Sequence, residues 1–326
     1  MARTSGNAGN WHWILPAVCL LVLSFPSLSR GATIRVVEHK ESTHLYLADV
    51  ASYYGLKYTV SGKKIFLTSR ANVIGFTEDN RLMTLNGIQM YLSRPIACVR
   101  KIHLIGKSDF DLILEPLMRK SAVPKHPIKV IVVDAGHGGK DVGAIAGGVM
   151  EKTINLQVAQ RLAEKLAQKG LKVYMTRKSD VDCSLEKRSE IADKCKADLF
   201  VSVHCNAAAP NVNGLEVFVA TAAGDYGTGE TTPQKVACAA NAFNSLNTVL
   251  AYAMQSSLLS TMKMTDRGIR HKRFYVIRNV SCPAVLVEIG FITNASDRRK
   301  MLNASYQEAL AGAMAESIVL FRNVTK

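Results

Sequence analysis

The sequence predicts an α/β protein with a mainly parallel twisted sheet and helices on both faces, preceded by a small α+β domain. From residue 129 onward, short aliphatic runs alternate with stretches whose apolar residues have helical spacing. The runs are almost continuously apolar, which is typical of strands that are buried on both faces of a parallel sheet. Residues 33–118 instead contain short alternating runs separated by turn signals, which is typical of antiparallel strands.

The first 31 residues form a segment of a different kind. Arg3 and His12 precede an apolar run at 14–25, and the small-residue segment Ser27-Leu28-Ser29 follows it. This order predicts a secretory signal peptide at 1–31, and the run is short for a membrane span. An uncleaved N-terminal anchor is the alternative. We therefore expect an exported protein that works in the periplasm, the compartment of the cell wall.

Residues 32–119 are predicted to form a small α+β accessory domain. Predicted strands are TIRVVE, LKYTV, KKIFLT, RLMTLNGIQMYL and RKIHLIG, and predicted helices are LADVASYYG and FDLILEPLMRK. No grouping of His, Cys and carboxylate residues is evident here, so we expect a binding or spacing module. A segment rich in proline and basic residues, 120–128, is the predicted linker.

Residues 129–326 are predicted to form the catalytic domain. Its predicted strands are VIVVD, LKVYMTR, DLFVSVH, GLEVFV and PAVLVEIG, and its predicted helices are Lys152–Lys169, Leu185–Cys195, Leu250–Met262 and Tyr306–Phe321. Ligand sites in such sheets lie beyond the carboxyl ends of the strands.

Charge and cysteine usage restrict the class of partner. Residues 1–31 hold two basic residues, Arg3 and Arg30, and no acidic one, so their removal lowers the formal charge from +15 to +13. This charge favours an anionic partner. Export and the lack of interleaved aromatic and basic residues argue against nucleic acid. The remaining cysteines show no CxxC pair or regular spacing, and we expect all six to be core thiols.

Four ionisable residues stand at the ends of predicted elements. His137 follows the strand VIVVD, His204 closes DLFVSVH, Glu288 closes PAVLVE, and Glu151 begins a helix. Histidine with carboxylate is a natural zinc set. Each residue alone also has a structural explanation: a helix-dipole carboxylate, a satisfied buried histidine, or a buried salt bridge. The glycine-rich loop around His137 contains neither GxGxxG nor GxxxxGK[ST], which argues against a phosphate loop.

Residues 128–322 resemble the zinc-dependent N-acetylmuramoyl-L-alanine amidases. The motifs that carry the resemblance are VVDAGHGGKDVGAIAGGVMEKTINL, MTR, LEKRSEIADKCKADLFVSVHCNAA, GLEVFV and PAVLVEIGFITNASD. The resemblance implies that His137, Glu151 and His204 bind one zinc ion and that Glu288 is the catalytic carboxylate. It implies hydrolysis of the amide between the lactyl group of N-acetylmuramic acid and L-alanine, in wall remodelling, daughter-cell separation or recycling. The substrate would be peptidoglycan or muropeptides.

Three further features qualify this interpretation. The family commonly has alanine where this chain has Cys205, but adjacent strand residues face opposite sides of a sheet, so His204 and Cys205 should not both reach a metal. Some relatives carry an inserted helix that plugs the site until an activator removes it. The segment 220–249 looks too short for that plug, so activator proteins are possible but not indicated. The pattern of the accessory domain resembles the small N-terminal domain of copper amine oxidases.

Other functions stay open from the sequence. A penicillin-sensitive serine D,D-carboxypeptidase would use an SxxK motif, and three matches occur: Ser61 with Lys64, Ser184 with Lys187, and Ser260 with Lys263. The accompanying SDN and KTG elements are missing, and a capping serine explains Ser184 equally simply. Non-catalytic binding of wall material is a third possibility. The basic stretch 267–274 either grips substrate carboxylates or forms a solvated loop.

Overall fold

The computed structural model describes residues 33–326, and the signal peptide predicted at 1–31 lies outside this range. The strands are β1 (Val36–His39), β2 (Ser42–Tyr46), β3 (Lys57–Ser61), β4 (Lys64–Thr68), β5 (Val73–Thr77), β6 (Leu82–Leu85), β7 (Ile88–Tyr91), β8 (Ala97–Val99), β9 (Ile102–Gly106), β10 (Val130–Ala135), β11 (Ile145–Ala146), β12 (Val149–Met150), β13 (Lys172–Met175), β14 (Leu199–Asn206), β15 (Leu215–Val219), β16 (Asp266–His271) and β17 (Ala284–Phe291).

The helices are α1 (Leu47–Tyr53), α2 (Lys107–Asp109), α3 (Glu115–Met118), α4 (Glu151–Gln168), α5 (Leu185–Lys194), α6 (Asn244–Met262), α7 (Tyr275–Arg278), α8 (Ala295–Met301) and α9 (Ala304–Val324). A π-helical turn, Phe110–Leu114, joins α2 to α3. Within residues 33–326, every helix is too short or too polar to cross a bilayer.

The central sheet has eleven strands in the order β13-β10-β14-β17-β15-β16-β7-β6-β5-β4-β3. The strands β13, β10, β14 and β17 are mutually parallel, as the sequence predicts. β15 runs antiparallel to β17, and β16 is parallel to β15. The α/β fold class with a mainly parallel catalytic sheet is therefore confirmed.

Helices cover both faces of the parallel part of the sheet. On β10, Ile131 and Val133 pack into the large core beneath α4, α6 and α9, whereas Val132 packs into a smaller core with α5 and α7. The same alternation holds on β17, where Leu286 faces α7 and Val287 faces the large core. Because successive side chains of a strand point to opposite faces of the sheet, every second residue faces α5 and α7.

The accessory half shares this sheet with the catalytic half. Its strands β3 to β7 form antiparallel hairpins, and β7 joins the catalytic strand β16 in parallel, with Met90 opposite Ile269. The strands β1, β2, β9 and β8 form a separate four-stranded sheet. One hydrophobic core runs through both halves. The domain boundary at 120–128 stays a prediction, but the two halves are joined by strand pairing.

The predicted linker is anchored to the catalytic half. Val123 and Ile128 are buried. The His126 N–H donates to the carbonyl of Thr325 at 2.8 Å, and Asp198 accepts hydrogen bonds from the N–H groups of Lys129 and Val130 at 2.8 Å each. These bonds fix the direction in which the chain enters β10.

Candidate metal centre

Neighbouring parallel strands bring the four sequence-predicted residues to one edge of the sheet. His137 lies two residues beyond β10, and His204 on β14 is directly opposite Glu288 on β17. Glu151 is the first residue of α4, which follows the short β11–β12 hairpin. The carboxyl ends of parallel strands are the expected place for a ligand site.

His137, Glu151 and His204 form a cluster whose donor atoms all lie within 4.8 Å of one another. Nε2 of His137 is 3.2 Å from Oε1 of Glu151, and Nδ1 of His204 is 3.0 Å from the same oxygen. Burial would raise the pKa of Glu151, but its hydrogen bonds with the two histidines outweigh burial and hold the pKa well below its usual range. Two imidazoles and a carboxylate match the donor set of open zinc sites in hydrolases, so the residues present fit a metal ion.

The side chains of this cluster lie so close to the backbone that positions 136 and 143 must be glycine. A Cβ atom at Gly136 would lie 2.3 Å from Cε1 of His204, and one at Gly143 would lie 2.6 Å from Oε2 of Glu151. Between them, His137 itself has a positive φ of 60°, a conformation that costs a non-glycine residue of order 1 kcal/mol or more and is typical of functional sites. The glycine-rich loop therefore serves to bring His137, Glu151 and His204 together.

Further residues orient the cluster, and sequence reasoning missed them. Oδ2 of Asp141 lies 2.8 Å from Nδ1 of His137 and leaves Nε2 facing Glu151. Nδ2 of Asn155 donates to Oε1 of Glu151 at 3.1 Å. The guanidinium of Arg188 donates to the carbonyl of His137 at 2.7 Å. The available signal was the spacing of four residues between His137 and Asp141, since outer carboxylates commonly orient ligating histidines.

Glu288 is a buried carboxyl beside this cluster. Its Oε2 has no hydrogen-bond partner among the described residues. Burial, followed by the negative charges of Glu151 and Glu216, raises the pKa of Glu288 well above its usual value. Glu216 lies directly opposite Glu288 on β15.

The basic stretch 267–274 supports Glu216 and does not form a free patch. Arg267 and Arg270 place their Nε atoms 2.7 and 3.2 Å from the carboxylate of Glu216. Residues 266–271 form β16, which the sequence analysis did not predict. The two guanidiniums are thus used in internal ion pairs.

A cavity of about 580 Å³ opens over His137, His204 and Glu288. This volume lies within the range of small-molecule sites. Its apolar wall comes from α5, α7 and β17 and includes Leu185, Phe274, Tyr275 and Leu286.

The segment 220–249 contributes none of the described residues that line this cavity. It is bound to the accessory half instead. Arg81 donates to the carbonyls of Tyr226 and Gly227 at 2.8 and 3.1 Å, and Arg94 is paired with Asp225 at 3.0 Å.

Cys205 faces away from the cluster, as strand alternation predicts. It is buried in the large core, where its Sγ lies 3.3 Å from Oδ1 of Asn155. Burial raises the pKa of its thiol. The expectation that all six cysteines are core thiols is wrong: Cys205 and Cys282 are buried, whereas Cys98 is exposed and the others are half-buried. All six are free thiols in this structure.

The three SxxK serines lie in different surroundings. Ser61 and Lys64 are paired across the β3–β4 hairpin. Ser184 caps α5 and accepts a hydrogen bond from the N–H of Lys187 at 3.2 Å. Ser260 donates to the carbonyl of Ser257, one turn earlier in α6. A capping role accounts for Ser184, and the carboxypeptidase alternative stays an untested hypothesis.

A second cluster of possible metal ligands lies in the accessory half. It consists of Glu78, Cys98 and His103, whose donor atoms also lie within 4.8 Å of one another. The sequence analysis found no grouping of His, Cys and carboxylate in this half, and that interpretation is wrong. Strand pairing brings together residues that are up to 25 positions apart in the chain.

Comparison with known proteins identifies relatives of the catalytic half. The sequence pattern of the N-acetylmuramoyl-L-alanine amidase family matches residues 131–319. LytC of Bacillus subtilis (strain 168), named an N-acetylmuramoyl-L-alanine amidase, is 36% identical over 200 residues, which cover 60% of this chain and 36% of LytC. The match thus spans about a third of LytC.

Solved structures agree with this assignment. The catalytic domain of CwlV, an N-acetylmuramoyl-L-alanine amidase from Bacillus (Paenibacillus) polymyxa var. colistinus, aligns with a TM-score of 0.52 and 32% identity, covering 60% of this chain and 99% of that chain. The amidase AmiC2 of Nostoc punctiforme aligns with a TM-score of 0.51 and 33% identity, covering 60% and 97%.

The family match begins at residue 131 and leaves the accessory half outside it. The resemblance of that half to the copper amine oxidase domain therefore stays a prediction. The matched region covers more than half of the chain, together with the strands β13, β14 and β17, nearly all of β10, and the residues that line the cavity. On this evidence the chain belongs to the N-acetylmuramoyl-L-alanine amidase family.

Proposed function

We propose that the protein hydrolyses the amide bond between the lactyl group of N-acetylmuramic acid and L-alanine in peptidoglycan stem peptides. The observation that carries this proposal is the convergence of His137, Glu151 and His204 beside the unpaired carboxyl of Glu288, at the base of an open cavity. Three protein ligands leave a coordination position free, which is the arrangement of catalytic zinc sites.

His137, Glu151 and His204 would hold one zinc ion. When bound, zinc polarises the scissile carbonyl and lowers the pKa of water toward about 7. In its ionised form, Glu288 accepts the proton of the attacking water, and it returns this proton to the nitrogen of the leaving L-alanine. Asp141 keeps the imidazole of His137 in a fixed orientation through the Nδ1 contact at 2.8 Å.

The remaining features agree with a wall substrate. Stem peptides carry several carboxylates, which suits the formal charge of +13 once residues 1–31 are removed. The predicted signal peptide would deliver the protein to the periplasm, where wall remodelling or daughter-cell separation takes place. The cavity over the cluster has the volume of a small-molecule site and an apolar wall formed by α5 and α7.

The test is a digest of purified peptidoglycan by the wild-type protein and by Glu288→Gln, followed by mass spectrometry of the products. Glutamine keeps the size of the side chain but cannot accept a proton. We therefore expect the Glu288→Gln variant to bind zinc normally and to have no hydrolytic activity. The expected wild-type products are intact stem peptides with a free L-alanine amine.

Two results would overturn the proposal. One is release of the same peptides by Glu288→Gln at the wild-type rate. The other is loss of terminal D-alanine alone, unaffected by the substitution, which would instead favour the serine carboxypeptidase.

A further inference from the structure

We propose that the accessory half holds a second metal site, formed by Glu78, Cys98 and His103, which binds a divalent cation of borderline softness such as Zn²⁺. The proposal is independent of the amidase activity, because none of its residues belongs to the cavity over His137 and His204.

Three strands, β5, β8 and β9, bring the donors of this cluster together. Cys98 on β8 and His103 on β9 are direct partners in the antiparallel pair. Glu78 follows β5 and forms an isolated parallel bridge with Ile96, just before β8. Nε2 of His103 lies 2.8 Å from Oε1 of Glu78.

The donor types define the class of cation. A thiolate, an imidazole and a carboxylate together suit zinc and similar borderline metals, whereas magnesium and calcium prefer oxygen ligands alone. With three protein ligands, the fourth tetrahedral position is left to water.

His103 is oriented for ligation by a contact behind its ring. The hydroxyl of Tyr58 is hydrogen-bonded to Nδ1 of His103, which directs Nε2 toward Glu78. In the metal-bound form Nδ1 carries the proton and donates to the Tyr58 oxygen, so that Nε2 presents its lone pair to the cation. Such support of the second ring nitrogen is typical of ligating histidines.

Access to the donors also favours binding. Cys98 ligates as the thiolate and releases its thiol proton to solvent. Cys98 is exposed and the side chain of Glu78 is 19% exposed, so a hydrated cation reaches both donors, while His103 is buried behind them.

The proposed site lies between the two sheets of the accessory half. Glu78 follows a strand of the eleven-stranded sheet, whereas Cys98 and His103 belong to the four-stranded sheet. A bound cation would therefore cross-link the two sheets of the accessory half at a point otherwise held by the hydrogen bond between Glu78 and His103.

The test uses Co²⁺ as the probe on the metal-free, fully reduced chain. Cobalt bound to thiolate gives a near-ultraviolet charge-transfer band that imidazole and carboxylate ligands do not give. The catalytic cluster contributes only nitrogen and oxygen donors, and Cys205 is buried on the opposite face of the sheet. Cys183 also lines the cavity over the catalytic cluster, so the variants below assign the band to the accessory site.

We expect two cobalt ions and the thiolate band in the wild type. Cys98→Ser should lose the band and one ion, and Cys195→Ser, at a half-buried cysteine on the end of α5, should keep both. The double variant His137→Ala/His204→Ala should keep the band and lose the other ion. This last variant separates failure of the accessory site from failure of the catalytic one.

Absence of the thiolate band in the reduced wild type would overturn the proposal, as would a band that survives in Cys98→Ser. His103→Ala provides a second variant that does not touch the thiol, and retention of the full band there would also contradict the site. Folding of each variant is checked by circular dichroism.

Discussion

At the scale of single residues, the catalytic half depends on a few close contacts around His137. Asp141 fixes its ring from one side, and Arg188 holds its carbonyl from the other. The glycines at 136 and 143 remove the side chains that would collide with His204 and Glu151. These contacts give two predictions. One tests whether Asp141 orients the ring of His137, and the other tests whether Gly136 leaves room for the ring of His204.

Asp141→Asn should weaken zinc binding without unfolding the protein. The amide cannot supply the negative charge that supports the imidazole of His137, and loss of such an outer partner typically costs about 10–100-fold in metal affinity. Zinc titration by competition with a chelator measures the change. Asp193→Asn, at an exposed carboxylate on α5, is the matched control. Unchanged affinity in Asp141→Asn would mean that the carboxylate does not support the ligand.

Gly136→Ala should abolish metal binding while the fold persists. The added Cβ would lie 2.3 Å from the His204 ring, so the ring must leave its position in the cluster. Gly312→Ala is the control, because its Cβ would meet only Lys165 at 3.8 Å in the middle of α9. Metal content and circular dichroism check both variants. Normal zinc content in Gly136→Ala would contradict this explanation of the glycine-rich loop.

The sequence predicts a site residue correctly where an ionisable side chain stands at the end of a predicted strand. His137, His204 and Glu288 each stand at the end of an apolar run, and the structure places them at one edge of the sheet. The cluster of Glu78, Cys98 and His103 was missed because its members come from separate antiparallel strands. The spacing of residues along the sequence does not show which strands will pair.

At the scale of elements, α5 connects the cavity wall to the sheet. Its cap is Ser184, and its Arg188 pairs with the fully buried Asp134 on β10. Asp134 also accepts hydrogen bonds from Thr176 and Ser202. Because a buried charge without a partner is costly, this network holds α5 against the strands that carry the cluster.

Ser184→Ala should lower stability and leave hydrolysis unchanged. Loss of an N-cap typically costs about 1 kcal/mol, since the N–H of Lys187 loses its acceptor. Denaturant unfolding and the peptidoglycan digest measure the two effects, and Ser184→Asn, which keeps a capping oxygen, should restore most of the stability. If Ser184→Ala instead removed activity or covalent penicillin labelling at unchanged stability, the serine would be a nucleophile.

At the scale of the whole molecule, the two halves are joined by one sheet and by buried polar contacts. Asp109 is the last residue of α2 in the accessory half and is 2% exposed. Its Oδ1 and Oδ2 accept hydrogen bonds from the N–H groups of Ser93 and Arg94, and Asp225 from the catalytic half lies nearby. Burial raises the pKa of Asp109 to about 7, and the charge of Asp225 adds to this shift.

Asp109 should make the protein less stable as pH rises from about 4 to about 7. The folded state keeps the proton up to pH about 7, whereas the unfolded chain releases it near its ordinary value of 3.8. Protonated Asp109 thus makes its full contribution to the free energy of unfolding below about pH 4, and this contribution is lost as the pH rises through about 7. By linkage, the loss is on the order of 3–4 kcal/mol.

The measurement is the free energy of unfolding of the wild type and of Asp109→Asn between pH 4 and pH 8. The wild type should lose stability relative to the variant as pH rises. Asp111→Asn, at an exposed carboxylate two residues away, controls for removal of one charge. A constant difference between wild type and Asp109→Asn across this range would contradict a raised pKa.

The relation of the two halves could not be predicted from sequence. The pairing of β7 with β16 joins Met90 to Ile269 across 179 positions, and neither strand carries a local signal for its partner. The basic composition of 267–274 left a carboxylate-binding stretch and a solvated loop as alternatives. The sequence does not show that Arg267 and Arg270 pair with Glu216. By contrast, α4, α5 and α9 were predicted within a few residues, since each repeats apolar residues at helical spacing over several turns.

The most direct test of the metal centre is anomalous difference density at the zinc absorption edge, from crystals of the active protein. We predict a peak bound by His137, Glu151 and His204, with Glu288 beside it and not among the ligands. Fully active crystals without a peak at these three residues, or with Glu288 as a ligand in place of one of them, would contradict the site and the role of each residue in it.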